Sequence, residues 1–266
     1  MFQSNRVELH FGLEKPIKLL QLTDVHVSLT DERNADMTER AAKRRDVFFR
    51  EANFPDRDPV GYLQEAMEYA KNFDCTLITG DLVDFNTYRN YETVAEILAG
   101  KDYMFCSGNH EFTPNPGIDS YQLRADTLDY VQSHFRGDLF FESRIVGGVN
   151  VICADNGYHT WTEKQYEQLK AEVAKGLPIV LFCHVPLNKS MMDPNSYQRD
   201  ETKKLYVTEE EAQTSAKVVR YLAEEPLFKA FFTGHGHHND LFDFEGKPCY
   251  MTGGLFKGIV CEIFID

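Results

Sequence analysis

Apolar residues along the chain fall into two patterns, short near-continuous runs and longer segments in which they recur every three or four positions. The runs predict strands over 17–22, 76–79, 103–106, 139–146, 149–154, 179–183, 228–233, 241–244, 249–252 and 259–265. The periodic segments predict helices over 58–73, 87–99, 120–134, 163–174 and 209–223. Asp58-Pro59 supplies an N-cap followed by proline at the first helical position, with Leu63, Ala66, Met67 and Ala70 on one face. Thr162 with Gln165, and Thr208 with Glu211, match capping boxes. Gly147-Gly148 divides two runs as a hairpin turn would. Strands alternating with helices, then a strand-rich end, indicate layered α/β packing. No repeat, low-complexity tract or linker divides the chain, so one domain over 1–266 is expected. Two segments stand out as long connections, 27–57 and 185–207, and loops of that length are commonly lids or covers.

Composition narrows the class. The 266 residues are 42% hydrophobic and 26% charged, which is ordinary for a globular protein. The 28 Lys and Arg against 42 Asp and Glu leave a formal charge of −14. A field of that sign argues against a nucleic-acid partner and favours small substrates. No stretch approaches the roughly 18 apolar residues of a membrane helix, and Glu8 and Glu14 interrupt the start where a secretory signal would be apolar. Cys75, Cys106, Cys153, Cys183, Cys249 and Cys261 are scattered without a CxxC pair, and read as reduced, mostly buried thiols of a cytoplasmic protein.

Five short clusters carry candidate chemistry: Asp24-Val25-His26, Gly80-Asp81-Leu82-Val83-Asp84, Gly108-Asn109-His110-Glu111, His184, and Gly234-His235-Gly236-His237. Each follows a β-type run, and in a parallel α/β sheet the strand carboxyl ends converge on one edge. On an extended chain, side chains two apart point to one side, which would pair Asp24 with His26 and His235 with His237. Carboxylate, imidazole and amide oxygen form a hard-to-borderline donor set suited to Mn, Fe, Zn, Co or Mg ions.

In this order the clusters resemble the calcineurin-like metallophosphoesterase family, whose pattern is D-x-H, G-D-x-x-D, G-N-H-[D/E], H and G-H-x-H. The resemblance spans 24–237 with every ligand type present. It implies a four-layer α/β/β/α sandwich of two mixed sheets flanked by helices, with the site at the strand ends. It implies two divalent ions, manganese first among the candidates: Asp24, His26 and His237 would hold one, Asn109, His184 and His235 the other, and Asp81 would bridge them. A hydroxide shared by the ions would attack phosphorus in line. His110 would be the general acid and Asp84 its orienting partner. Asp84 can also be read as a helix N-cap, and Glu111 as a packing or solvated residue.

The expected function is metal-dependent hydrolysis of a small phosphodiester, such as a nucleotide or cyclic nucleotide. The segment 20–26 is similar to bacterial phosphodiesterase-like members. A phosphomonoesterase and a non-catalytic metal-binding scaffold are the alternatives. Asp84 stands where purple acid phosphatases carry a tyrosine ligand, and the R-G dipeptide of the serine/threonine protein phosphatases is missing. His10, His134, His159 and His238 fit no ligand slot, and Tyr158 and Trp161 read as packing residues. Arg33, Arg40, Lys43, Arg44, Arg45, Arg50 and Arg57 within 27–57 read as a solvated helical face; the alternative is a cover beside Asp24 and His26 that supplies guanidinium groups to the substrate phosphate, and Asn188, Lys189, Tyr197 and Arg199 are equal candidates for substrate contacts, between which the sequence does not choose.

Overall fold

In the computed structural model, which describes residues 2–54, 57–114, 120–198 and 205–266, eleven strands form two mixed sheets. The first has the order β1 (Gln3–Leu9), β11 (Ile259–Ile265), β2 (Ile17–Leu22), β3 (Cys75–Thr79), β4 (Met104–Cys106). Strands β2, β3 and β4 are parallel, β11 runs antiparallel to β2, and β1 pairs parallel with β11. The second has the order β5 (Phe141–Val146), β6 (Val149–Ala154), β7 (Ile179–Phe182), β8 (Phe228–Thr233), β10 (Lys247–Met251), β9 (Asp240–Phe244). Here β6, β7, β8 and β10 are parallel, with antiparallel edges at β5 and β9.

The two-residue alternation of each strand assigns its side chains to layers. Leu19, Leu77, Val180, Phe182, Ala230, Phe232 and Ile263 face the gap between the sheets. Leu20, Leu22 and Ile78 point the other way, onto α2 (Pro59–Tyr69) and α3 (Tyr88–Leu98). Ile179, Leu181 and Phe231 likewise meet the layer of α5 (Glu163–Val173) and α6 (Glu209–Glu224). Strands buried on both faces read as continuous apolar runs, as parallel central strands do. The result is the α/β/β/α sandwich.

Local signals act where they were read. Asp58 caps α2, accepting from the Gly61 amide at 2.8 Å, and both capping boxes form, at α5 and α6. Gly147 and Gly148, at φ 55° and 90°, turn β5 into β6. One element lies outside the sequence expectation. β1 is a half-exposed edge strand carrying Arg6 and Glu8, whose polar face hides its period. The helical face read within 27–57 is α1 (Thr38–Glu51), of which only Ala41 and Phe48 are buried. The remaining helix is α4 (Tyr121–Gln132). All six cysteines are buried and none is in a disulfide. Arg199 lies outside the described residues.

Candidate metal centre

The five clusters occupy the carboxyl ends of five parallel strands, three from the first sheet (β2, β3, β4) and two from the second (β7, β8). Backbone bonds between loops hold them in register. The amides of Asp24, Val25 and His26 donate to the carbonyls of Gly80, Asp81 and Asp81, and Gly234 donates to His184. Gly108 and Gly234 permit the closest approaches: a Cβ on the first would overlap Asp81 Oδ1, and on the second Thr23 Oγ1 and Asp24 Oδ2.

The extended-chain argument for Asp24 with His26 and His235 with His237 does not describe the backbone found. All four, and Asp81, adopt left-handed conformations, with φ of 51°, 54°, 69°, 57° and 53° respectively. Such residues are uncommon outside glycine, cost of order 1–3 kcal/mol each, and gather at functional sites. Asn109 is helical in φ and ψ and opens a tight turn over His110–Phe112, so His110 parts from Asn109 through that turn and not through a pleat.

Asp81 sits at the middle. Its Oδ2 lies 3.2 Å from His184 Nε2, 3.8 Å from His26 Nε2 and 3.9 Å from His110 Nε2, while Oδ1 accepts from the His110 amide at 3.0 Å. On one side, His26 Nε2 and His237 Nε2 approach to 3.1 Å, and Asp24 Oδ1 is 3.2 Å from His237 Nε2. On the other, His184 Nε2 lies 3.2 Å from both His235 Nδ1 and Asn109 Oδ1. Two groups of donors able to converge on an ion result, Asp24–His26–Asp81–His237 and Asp81–His184–His235, with Asp81 common to both. His26, Asp84 and His110 form a third such group.

The donors fit divalent ions. Ligands at bonds of ~2.1 Å stand about 3.0 Å apart at right angles and about 3.4 Å apart at the tetrahedral angle, which brackets the separations between imidazoles. Rear contacts point the same way. His184 Nδ1 donates to the Thr79 carbonyl at 2.9 Å, leaving Nε2 to face the centre. His26 Nδ1, buried and without a well-directed hydrogen bond, lies 3.2 Å from Asp84 Oδ1, the carboxylate-imidazole arrangement behind many metal ligands.

Burial disfavours charge here, but the groups oppose one another strongly enough to override it. Burial alone would raise Asp24, and contacts with His237 and His26 hold it well below the usual carboxylate range. Asp81 is lowered against the same penalty by His184 and His110. Burial would lower His26 and His184, yet Asp24 and Asp84 raise the first, and Asp81 the second, to about 10. His235, desolvated and beside His184, is pushed down to about 4.

Asp84 meets His110 differently from a simple carboxylate partner. His110 Nδ1 donates to the Asp84 backbone carbonyl at 2.8 Å, whereas the carboxylate is 3.5 Å away. That carboxylate is held by Arg44, whose Nε and an Nη donate at 2.7 Å each. It caps no helix, since Thr87 is the N-cap of α3. Glu111 is neither solvated nor simply packed: fully buried, it accepts from the amides of Gly108, Leu82 and Asp81 at 2.6, 2.6 and 3.1 Å, fixing two of the site loops. Asn156 accepts from the amides of His184 and Val185 at 3.0 and 2.8 Å and donates to the Val185 carbonyl. An acid directly after Gly-Asn-His was the available signal for Glu111; Asn156 had none. His10, His134 and His238 stand apart from the donor groups, while the exposed His159 sets its ring edge-on to His235 at 5.8 Å.

The model of the calcineurin-like phosphoesterase family matches residues 17–239. The chain belongs to that family. It is accordingly a hydrolase of phosphate esters, and membership implies two divalent ions at the clustered donors. Its fold is similar to that of a dimetal phosphatase from Danio rerio, with 15% identity over 91% of this chain and 89% of that one and a TM-score of 0.54. It is also similar to a purple acid phosphatase from yellow lupin (Lupinus luteus) seeds, with 15% identity over 94% of this chain and 44% of that one and a TM-score of 0.51. No curated protein sequence matches the chain. Among the described residues no helix is long and apolar enough to cross a membrane.

Proposed function

We propose that this phosphoesterase hydrolyses small phosphodiesters with two manganese ions, one held by Asp24, His26 and His237, the other by Asn109, His184 and His235, with Asp81 shared. The observation that carries the reading is the position of Asp81, whose carboxylate belongs to both donor groups. A set of carboxylates, imidazoles and one amide oxygen is hard to borderline and admits Mn²⁺ beside Fe, Zn, Co and Mg. When bound, such a pair would supply Lewis acidity toward the phosphoryl group and lower the pKa of bound water.

The chain's own residues do the rest. The Asp84 carbonyl fixes the His110 tautomer with the proton on Nδ1 in the neutral ring, and Nε2 faces the centre. Burial would lower the His110 pKa, but the charge of Asp81 and the contact with Asp84 raise it. The ring is thereby kept protonated to give a proton to the leaving oxygen. Beside His159 a cavity of about 300 Å³ is lined by Tyr158, Asn188, Ser190 and Tyr197, room for a small organic substituent. Two cations seen against the centre are engaged: Arg44 by Asp84, and Lys257 by the His237 carbonyl at 3.0 Å. A monoanionic diester asks for less compensating charge than a dianionic monoester.

The test is hydrolysis of bis-(p-nitrophenyl) phosphate and p-nitrophenyl phosphate by chelator-stripped protein, with and without Mn²⁺, beside Asp81→Asn. The expected result is Mn²⁺-dependent turnover favouring the diester, reduced at least ~100-fold in the variant. An undiminished rate in Asp81→Asn removes the shared-ligand assignment, and preference for the monoester removes the diester reading.

A further inference from the structure

Helix α1 lies in the segment between the first and second clusters, which the five-cluster pattern does not include. One face of it touches the Asp24–His26–His237 side of the centre at three successive levels. Arg44 forks onto both oxygens of Asp84 at 2.7 Å, and the Asp84 carboxylate in turn faces His26 Nδ1 at 3.2 Å. One turn on, Phe48 is buried and lies flat on the His26 ring, with centroids 5.1 Å apart and planes 19° apart. The Arg44 guanidinium sits 4.7 Å above the Phe48 ring, as residues four apart on a helix allow. Phe48 also packs against Phe256, which meets His26 and His237 edge-on at 5.7 and 5.1 Å. At the helix end, Glu51 lies 3.6 Å from Lys257, whose ammonium donates to the His237 carbonyl.

The chemistry of these contacts is directional. A guanidinium fork on a carboxylate fixes its plane as well as its place. With Asp84 so fixed, and an apolar ring against its face, the His26 imidazole has one orientation available. Removing the guanidinium leaves Asp84 as a buried anion free to turn toward His26 or His110, and the ring is no longer pre-set. Partners one shell behind a metal ligand commonly change metal affinity by about 10- to 100-fold.

We infer that α1 is a positioning element for one ion of the pair, with Arg44, through Asp84, and Phe48, through ring stacking, setting the affinity of the site made by Asp24, His26 and His237. The inference rests on the ligand assignment proposed above. Arg44 is a positioning residue, and the inserted helix is part of one metal site and not of the other.

The test is calorimetric titration of Mn²⁺ into chelator-stripped full-length protein, comparing wild type with Arg44→Met, Arg44→Lys and Phe48→Leu, and with His235→Ala and Asp24→Asn as markers of the two sites. Arg44→Met should weaken one binding event ~10- to 100-fold and leave the other unchanged. The event weakened should be the one that survives in His235→Ala. Arg44→Lys should recover part of the loss, because a lysine restores the charge without the fork. Phe48→Leu supplies the same comparison if Arg44→Met fails to fold. Two wild-type events in Arg44→Met and Phe48→Leu, with one event lost in Asp24→Asn, would overturn the role of α1 and spare the ligand assignment. Equal weakening of both events would also overturn it. Two wild-type events in Asp24→Asn would overturn the ligand assignment itself.

Discussion

At His110, one backbone carbonyl decides which ring nitrogen faces the centre. With Nδ1 committed to the Asp84 carbonyl, the proposed mechanism has Nε2 protonate the departing oxygen, and the benefit would grow as that oxygen becomes more basic. His110→Ala should therefore lose little with nitrophenolate and about 10²- to 10⁴-fold with poor leaving groups. Rates for a series of aryl phosphodiesters of graded leaving-group pKa measure this; an equal loss across the series would make His110 a substrate-positioning group. The residue types in the five clusters were legible because metal-ligand chemistry is written in adjacent letters. Their backbone was not. The left-handed conformations of Asp24, His26 and Asp81 come from the stitching of the 24–27 loop to the 80–82 loop, a long-range relation. Arg44 and Glu111 escaped for the same cause, since each acts on a partner brought near only by the folded sheet.

Among the elements, the central strands were legible because burial on both faces leaves an unbroken apolar run, and capped helices because Asp58, Thr162 and Thr208 signal locally. β1 was not, being half-exposed at an edge, and α1 was legible only as a solvated helical face without bounds, since it buries little beyond Ala41 and Phe48. Docking of α2 on the first sheet rests partly on a polar tie, Tyr69 Oη donating to Glu262 of β11 at 2.7 Å. That bond, with some burial, raises the Tyr69 pKa from 10 to about 12. The folded state then holds the phenolic proton more tightly than the unfolded chain. The stabilisation is complete below the unfolded value of 10 and is lost as pH rises through about 12. The difference in urea midpoint between wild type and Tyr69→Phe should shrink over that interval, and a constant difference would deny the linkage.

For the molecule as a whole, the candidate ligands come from both sheets, so ions bound there join one half of the sandwich to the other. Binding to the folded state alone stabilises by mass action, about 2.7 kcal/mol at a ligand concentration 100 times Kd. The unfolding temperature should rise with Mn²⁺, fall on chelation, and stop responding in Asp81→Asn; a temperature indifferent to the metal would place the ions outside the fold's stability. The sheet order carries a further consequence, for synthesis. β11 lies between β1 and β2, and the amides of Leu255 and Phe256 close onto the carbonyls of Thr23 and Asp24. A nascent chain emerging from the ribosome thus carries Asp24, His26 and Asp81 long before it carries the strand that joins β1 to β2, so the first half has no finished sheet to fold into during translation. Metal loading then belongs to the time after residues 255–265 have emerged, and a ribosome stalled before residue 255 would display Asp24 and His26 on an open edge, available to chaperones.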